Sequence, residues 1–461
     1  MINSGVPNQH DDGSQGGDRS AARVRMALDA LHAEGVGDQV AAWREAAIGA
    51  GQTVTAEDQR RFATSVISDR LQRMAERDID NGVQPLTPNE DGLVLQALLD
   101  DMFGAGVLDR LLADPGVENI DAIGCDRVWI SYADGRKEPG PPLWRTDEEM
   151  IEHLRRLGAR SGMSERRFDN AAPELNLQLA NGARLFAVMA VTERPCLSVR
   201  RHRLVDVSLA DLRATGMFDV HLEHFLRCAV RARLNLLVAG GTNAGKTTLL
   251  RALLNEVDPS ERLVTIEDNR ELDLNKLSAR HPDVVAMEAR EVNTEDTGEV
   301  TMAQLVRMGL RMNPSRVVVG EVRGHEIIPM LNAMSQGNDG SMCTIHANSS
   351  DGVFDRVAAY CIQAPERLDR EATNLLLANA VDLVVFIDQV HTATGIRRWV
   401  ASVREVVSAD GNLVVSNEVF RPDANDGTAT FAGVPLRPRT SARLDAVGYG
   451  LAPSNGQGRA F

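Results

Sequence analysis

Gly240-Gly241-Thr242-Asn243-Ala244-Gly245-Lys246-Thr247-Thr248 carries the most specific chemistry in the chain. Gly240 to Thr247 fit the pattern G-x-x-x-x-G-K-[ST], in which glycines let successive backbone N–H groups close around phosphate oxygens. A helix that starts at such a loop adds its positive dipole end, which favours anions. Lys246 brings a mobile positive charge to the phosphates, and the Thr247 hydroxyl is suited to ligate Mg2+. The mostly apolar run Leu234–Ala239 before the loop reads as its strand, and Thr248-Leu249-Leu250-Arg251-Ala252-Leu253-Leu254 after it reads as its helix. An ordinary glycine-rich turn needs neither flank. The expected ligand is a nucleoside triphosphate with Mg2+.

Three more apolar runs end in residues capable of chemistry. Leu263-Val264-Thr265-Ile266 leads into Glu267-Asp268 with Glu271 beyond, and Arg316-Val317-Val318-Val319-Gly320 leads into Glu321. A carboxylate at the end of a buried strand supports Mg2+ or orients water for in-line attack. Glu267 and Glu321 are selected on that ground, whereas Asp268 is equally well explained as a helix cap. Gly320 stands where the usual Walker B pattern has an aspartate. Arg323 is close enough in sequence to pair with Glu321 or to reach a phosphate. Cys343-Thr344-Ile345 leads into His346, which reads either as a core histidine or as a sensor of the γ-phosphate.

These runs must share one sheet if their ends are to meet. Strands at 234–239, 262–266, 316–319, 342–345 and 382–387 alternate with helical segments from residue 204 onward, the mark of a mostly parallel sheet. Ligands of open α/β sheets lie off the carboxyl ends of their strands. Before this domain, 85–203 reads as a smaller α+β domain, with a strand at Val128–Tyr132 and a hairpin of Glu174–Leu179 and Arg184–Val191 turning on Asn181-Gly182. Helical spacing of Val24, Leu28 and Leu31, and of Phe62, Val66, Ile67 and Leu71, gives a helical extension over 21–84. Residues 1–20, almost devoid of large apolar groups, read as disordered, and 426–461, rich in Gly, Pro and Thr, as a loose tail. A linker at 203–210 is the expected hinge.

The 461 residues allow two or three domains, and their apolar fraction of 43% is that of a globular protein. Runs such as Leu236–Gly240 fall far short of the ~20 residues that span a membrane, and no signal peptide is read at the N-terminus. Cys125, Cys196, Cys228, Cys343 and Cys361 are scattered without a C-x-x-C pair, which excludes a disulfide framework or zinc site and points to the cytosol. The net charge of −15 argues against direct nucleic-acid binding. The arginine group 155, 156, 160, 166 and 167 is either a local basic patch or a solvated helix face.

Gly-Gly-Thr-Asn-Ala-Gly-Lys-Thr-Thr, Thr-Ile-Glu-Asp-x-x-Glu-Leu, Gly-Glu-Val-Arg-Gly and Thr-Ile-His-Ala-Asn-Ser resemble, in order, four signatures of the type II/IV secretion traffic ATPases. These are the Walker A, Asp box, atypical Walker B and His box. The chain looks most similar to the CpaF-like branch that serves Tad (Flp) pili, and the resemblance covers residues 86–420. It implies a homo-hexamer of RecA-like ATPase domains, each with a smaller N-terminal domain, that couples ATP hydrolysis to macromolecule transport. Glu321 would position or deprotonate water, Glu267 would join Thr247 and Glu321 at the metal, and His346 would sense the γ-phosphate. Asn181-Gly182-Ala183-Arg184 resembles the family's Gly-x-Arg turn and Leu197–Arg201 its Ile-Arg-Arg segment, making Arg184, Arg200 and Arg201 arginine-finger candidates. Implied partners are an inner-membrane platform protein and, indirectly, a pilin or secreted protein. The implied location is the cytoplasmic face of the inner membrane. Two rivals remain, a conjugation-type translocase and a slow NTP-binding scaffold. No L-S-G-G-Q-like segment supports an ABC-type ATPase.

Overall fold

The computed structural model describes residues 13–50, 52, 54–160, 167–201, 206–290, 298–392 and 395–451. The expectations for residues 1–12, for Arg166, for residues 203–205 of the linker and for the end of the tail lie outside the described residues.

Four helices open the chain, at Gly13–Ala33, Val36–Gly49, Ala56–Asp80 and Pro88–Phe103. Capping boxes fix the starts of the last two, Thr55 with Asp58 and Thr87 with Glu90, the latter with Pro88 at the first helical position. Leu31, Ile67, Leu98 and Leu99 share one buried cluster. The helical layer therefore runs on to Phe103 rather than ending at 84, because the Gly82–Pro88 break is a loop between helices that pack together.

The next layer is a six-stranded antiparallel sheet: β1 (Val117–Ile123), β2 (Arg127–Tyr132), β3 (Lys137–Gly140), β4 (Glu174–Gln178), β5 (Arg184–Val188) and β6 (Cys196–Arg200), in the order β3-β2-β1-β6-β5-β4. Successive side chains of a strand face opposite sides. Ile120, Ala122, Leu185, Ala187, Leu197 and Val199 go inward and pack with Met150 and Leu154 of the helix Asp147–Arg160. In register, Asn119, Arg200, Arg184 and Gln178 form one row across β1, β6, β5 and β4. Gly182 supplies the positive φ (+87°) of the β4–β5 turn. In the arginine group, Arg155 pairs with Glu152 and Arg167 with Asp169, so these two behave as a solvated face with local ion pairs.

The larger domain is a nine-stranded sheet: β7 (Leu236–Gly240), β8 (Leu263–Glu267), β9 (Val284–Glu288), β10 (Arg316–Val322), β11 (Met342–His346), β12 (Leu383–Thr392), β13 (Gly395–Asp410), β14 (Leu413–Pro422) and β15 (Ala429–Phe431). The order is β15-β14-β13-β12-β7-β11-β10-β8-β9. Pairing is parallel from β12 to β9 and antiparallel through β13, β14 and β15. Two buried clusters, one on each face, cover it with helices. This is the expected α/β RecA-like P-loop fold, with β9 and the antiparallel arm as additions that the strand runs did not announce.

The segment expected to be a loose tail is packed as far as residue 451. Arg437 pairs with Glu405, whose side chain is 0% exposed, at 3.2 Å, and also faces Asp382. Arg443 donates to the carbonyls of Ala232 and Arg233, and Tyr449 stacks on His224. The signal was missed because arginines that neutralise buried acids, rather than apolar periodicity, fasten much of this segment. Arg437→Ala strands Glu405 in the sheet and should cost about 3 kcal/mol, read as a melting temperature lowered by several degrees; an unchanged melting temperature would restore the loose tail.

Candidate active site

β7 is buried throughout and ends at Gly240, where an added Cβ would lie 2.6 Å from the Ile387 carbonyl oxygen. Only glycine lets the loop leave the sheet this close to β12. Gly245, at φ +95°, caps the helix Lys246–Leu254 in a left-handed conformation that turns the chain into it. Asn243 is also left-handed, at φ +63°. Lys246 is only 7% exposed. Its Nζ donates to the Gly241 carbonyl at 2.9 Å and stands 3.3 Å from His346 Nδ1, with Glu321 Oε1 no nearer than 4.0 Å. Burial pulls this ammonium down to about 8 from its ordinary 10.5. A cation held this way, at a helix N-terminus, is suited to an anion.

β7, β11 and β10 lie side by side and deliver Lys246, His346 and Glu321 to one edge. Glu321 is engaged on both oxygens. Oε1 is 2.5 Å from His346 Nε2, and Oε2 accepts from Arg323 Nε at 2.6 Å. Desolvation, followed by the Lys246 charge, lowers the basicity of His346. Arg323 also reaches Asp268 at 3.3 Å.

Glu267 takes a different place from the one its motif suggested. It is 3% exposed, and its Oε1 accepts from the backbone N–H groups of Glu271 and Leu272, both at 2.9 Å. A Cβ on Gly320 would sit 2.9 Å from Glu267 Cγ. The glycine that departs from the Walker B pattern is thus the gap into which Glu267 fits. Burial pushes its acid up to about 8, so at neutral pH the carboxyl is largely uncharged and props the 268–272 loop. The acid beside Thr247 is Glu271, at 3.5 Å between Oγ1 and Oε2. It was visible in the Glu-Asp-x-x-Glu spacing but was not selected.

The row of outward side chains on the smaller sheet meets this edge. Arg184 pairs with Glu271 at 3.1 Å and lies 3.9 Å from Asp268, while Gln178 donates to the Arg270 carbonyl at 2.8 Å. Arg200 donates to the Asn243 side-chain oxygen. Arg201 does not join them. It follows Arg200 directly, projects the other way and donates to the Leu112 and Asp114 carbonyls of its own domain. Two residues outside every motif do join, Gln389 and Arg398, through the carbonyls of Thr242 and Asn243.

Among the described residues, no three His, Cys, Asp or Glu side chains form a metal cage. The donors present suit Mg2+, which keeps waters and takes phosphate oxygens alongside one or two protein ligands. Thr247, Glu271 and Glu321 are the residues able to hold it. Also among the described residues, no helix is long and apolar enough to cross a membrane.

A family model described as "Type II/IV secretion system protein" matches residues 109–407. The chain belongs to this family. A Mycobacterium tuberculosis H37Rv relative, described as "Putative conjugal transfer protein", is 38% identical over 359 residues, covering 76% of this chain and 97% of the relative. The type IV secretion system protein VirB11 of Brucella suis is 39% identical over 175 residues, 37% of this chain and 47% of its own. Among solved structures, the VirB11 ATPase from Brucella suis in complex with sulphate is 27% identical, covering 64% of this chain and 95% of that one, with a TM-score of 0.33. The Legionella pneumophila ATPase DotB is 17% identical, covering 66% and 81%, with a TM-score of 0.48.

The uncharged state of Glu267 is measurable in this secretion-family chain. Its folded value, about 8, exceeds the ordinary 4.5, so the folded chain binds the extra proton between these values. The group's contribution to stability therefore falls as pH rises through that window. Glu267→Gln keeps an acceptor for both N–H groups and should melt with less loss between pH 6 and 8.5 than the parent chain. Parallel curves would mean that the carboxyl is ionised throughout.

Proposed function

We propose that the chain hydrolyses ATP and works as one subunit of a homo-hexameric motor. The observation that carries this reading is the convergence of Lys246, Glu321 and His346 on one sheet edge, faced by Arg184 and Arg200 from the other domain. The loop Gly240–Thr248 binds the phosphates through its N–H groups and Lys246. Mg2+, held by Thr247 with Glu271 or Glu321 in its outer shell, would neutralise phosphate charge. Glu321 orients water and accepts its proton. His346, 2.5 Å away, is positioned to relay the state of that carboxylate to Lys246. Arg184, Arg200 and Arg323 are pairing partners now held by Glu271, Asn243 and Glu321, and each is placed to exchange that partner for phosphate oxygen. Arg201 is left out of this set, and Glu267 is assigned the loop rather than the metal.

We further propose that the motor serves a Tad (Flp) type pilus or a type II/IV secretion machine, acting through an inner-membrane platform protein on a pilin or secreted protein. Support for the Tad branch is the resemblance of the four motifs. A second reading, a conjugation-type translocase, is favoured by the description of the 38% identical relative. Turnover stimulated by DNA and falling steeply with salt would select it; the net charge of −15 weighs against it.

Glu321→Gln should lower Mg·ATP turnover by about 100-fold or more while leaving nucleotide affinity within a few-fold, whereas Lys246→Ala should lose both. A Gln variant with normal turnover would remove Glu321 as the water-activating group. Specific activity of the intact protein should rise steeply with its concentration, since a ring completes its sites by assembly; a flat, near-zero profile would favour the slow scaffold.

A further inference from the structure

The antiparallel arm holds the phosphate loop by its back. β12 and β13 place Gln389 and Arg398 directly opposite each other in register. Gln389 Nε2 donates to the Thr242 carbonyl at 2.7 Å, and Arg398 Nε donates to the Asn243 carbonyl at 2.8 Å. Two successive peptide units are thus gripped by one cross-strand pair. In a planar trans peptide the C=O and the following N–H point in opposite directions. Drawing the Thr242 and Asn243 carbonyls toward the arm therefore aims the N–H groups of Asn243 and Ala244 away from it, toward the hollow of the loop. Ala244 N–H makes only a long 3.3 Å bond, to the Gly241 carbonyl. The grip also bears on strain. Asn243 sits at φ +63°, where a residue with a Cβ is disfavoured unless its surroundings hold it. The stem of Arg398 lies against Gly245, the helix cap, within 3.6 Å of where a Cβ would stand. From the other side Arg200 takes the Asn243 side-chain oxygen.

We propose that Gln389 and Arg398 are positioning residues for nucleotide binding, which orient the Asn243 and Ala244 N–H groups toward phosphate without touching it. The proposal rests on the reading of Gly240–Thr248 as a phosphate site.

The test uses the full chain, with ADP binding by calorimetry and Mg·ATP kinetics. Arg398→Ala should weaken ADP binding and raise KM about ten-fold, because a loop no longer held in place must be ordered on binding. It should leave kcat within about two-fold and lower the nucleotide-free melting temperature by no more than about 2 °C. Arg398→Lys, which keeps a donor, should recover most of the affinity, and Gln389→Ala should show the same KM effect in weaker form. If the parent chain binds ADP and both alanine variants bind it equally well, the proposal is overturned. A fall in kcat at constant KM would also overturn it, since that effect belongs to the chemical step. A larger fall in melting temperature, with the lysine variant as weak as alanine, would reduce Arg398 to a structural residue. A parent chain that binds no ADP would instead remove the phosphate-site reading beneath it.

Discussion

Keeping the Lys246 ammonium out of water, with its nearest carboxylate oxygen 4.0 Å away, is costly. Much of the larger domain can be understood from that constraint. Burial already pulls the amine down to about 8, and the carbonyl of Gly241 and the ring of His346 offer dipoles rather than a full opposite charge. A phosphate supplies what is missing. The glycines at 240 and 245 let the backbone wrap closely enough for that exchange, and the helix that begins at Lys246 adds its dipole.

The acids around the lysine are divided by environment. Glu321 lies at the strand end, partly open and held by His346 and Arg323. Glu267, on the neighbouring strand but one layer deeper, is desolvated into the uncharged form and serves the backbone. The two roles meet at Gly320. A side chain there would expel Glu267 and disturb the loop carrying Asp268 and Glu271, the acids that hold Arg184 and Arg323. The Gly-Glu pair is thus a packing solution for Glu267.

Arginine side chains also join the domains. Arg184 crosses from the smaller sheet to Glu271, and Arg200 crosses to the loop at Asn243. Such contacts are exchangeable, because a guanidinium can donate to phosphate oxygens in place of a carboxylate or amide oxygen. An apolar interface would offer no comparable trade. The arginines near the site are thus held by polar partners across the domain boundary, while each domain keeps its own core.

The P-loop, the strand-end acids and His346 were legible in the chain, and with them the α/β class, since these are local signals. Apolar runs make strands, glycines at fixed spacing make the loop, and an Asn-Gly turn makes the β4–β5 hairpin. The sequence also marked Arg184 and Arg200. Only the tertiary structure decided which neighbouring residue faced the site. Arg201 is the next residue after Arg200 and faces away, and Glu267 is buried under the loop that presents Glu271 to Thr247 and Arg184. Nor did any local pattern announce Gln389 and Arg398, about 150 residues beyond the loop they grip, or the arginines that fasten 437–443 to buried acids. Their roles are hydrogen bonds and charge pairs made across the sheet, and those depend on which strands become neighbours, a matter of packing that composition and periodicity do not encode.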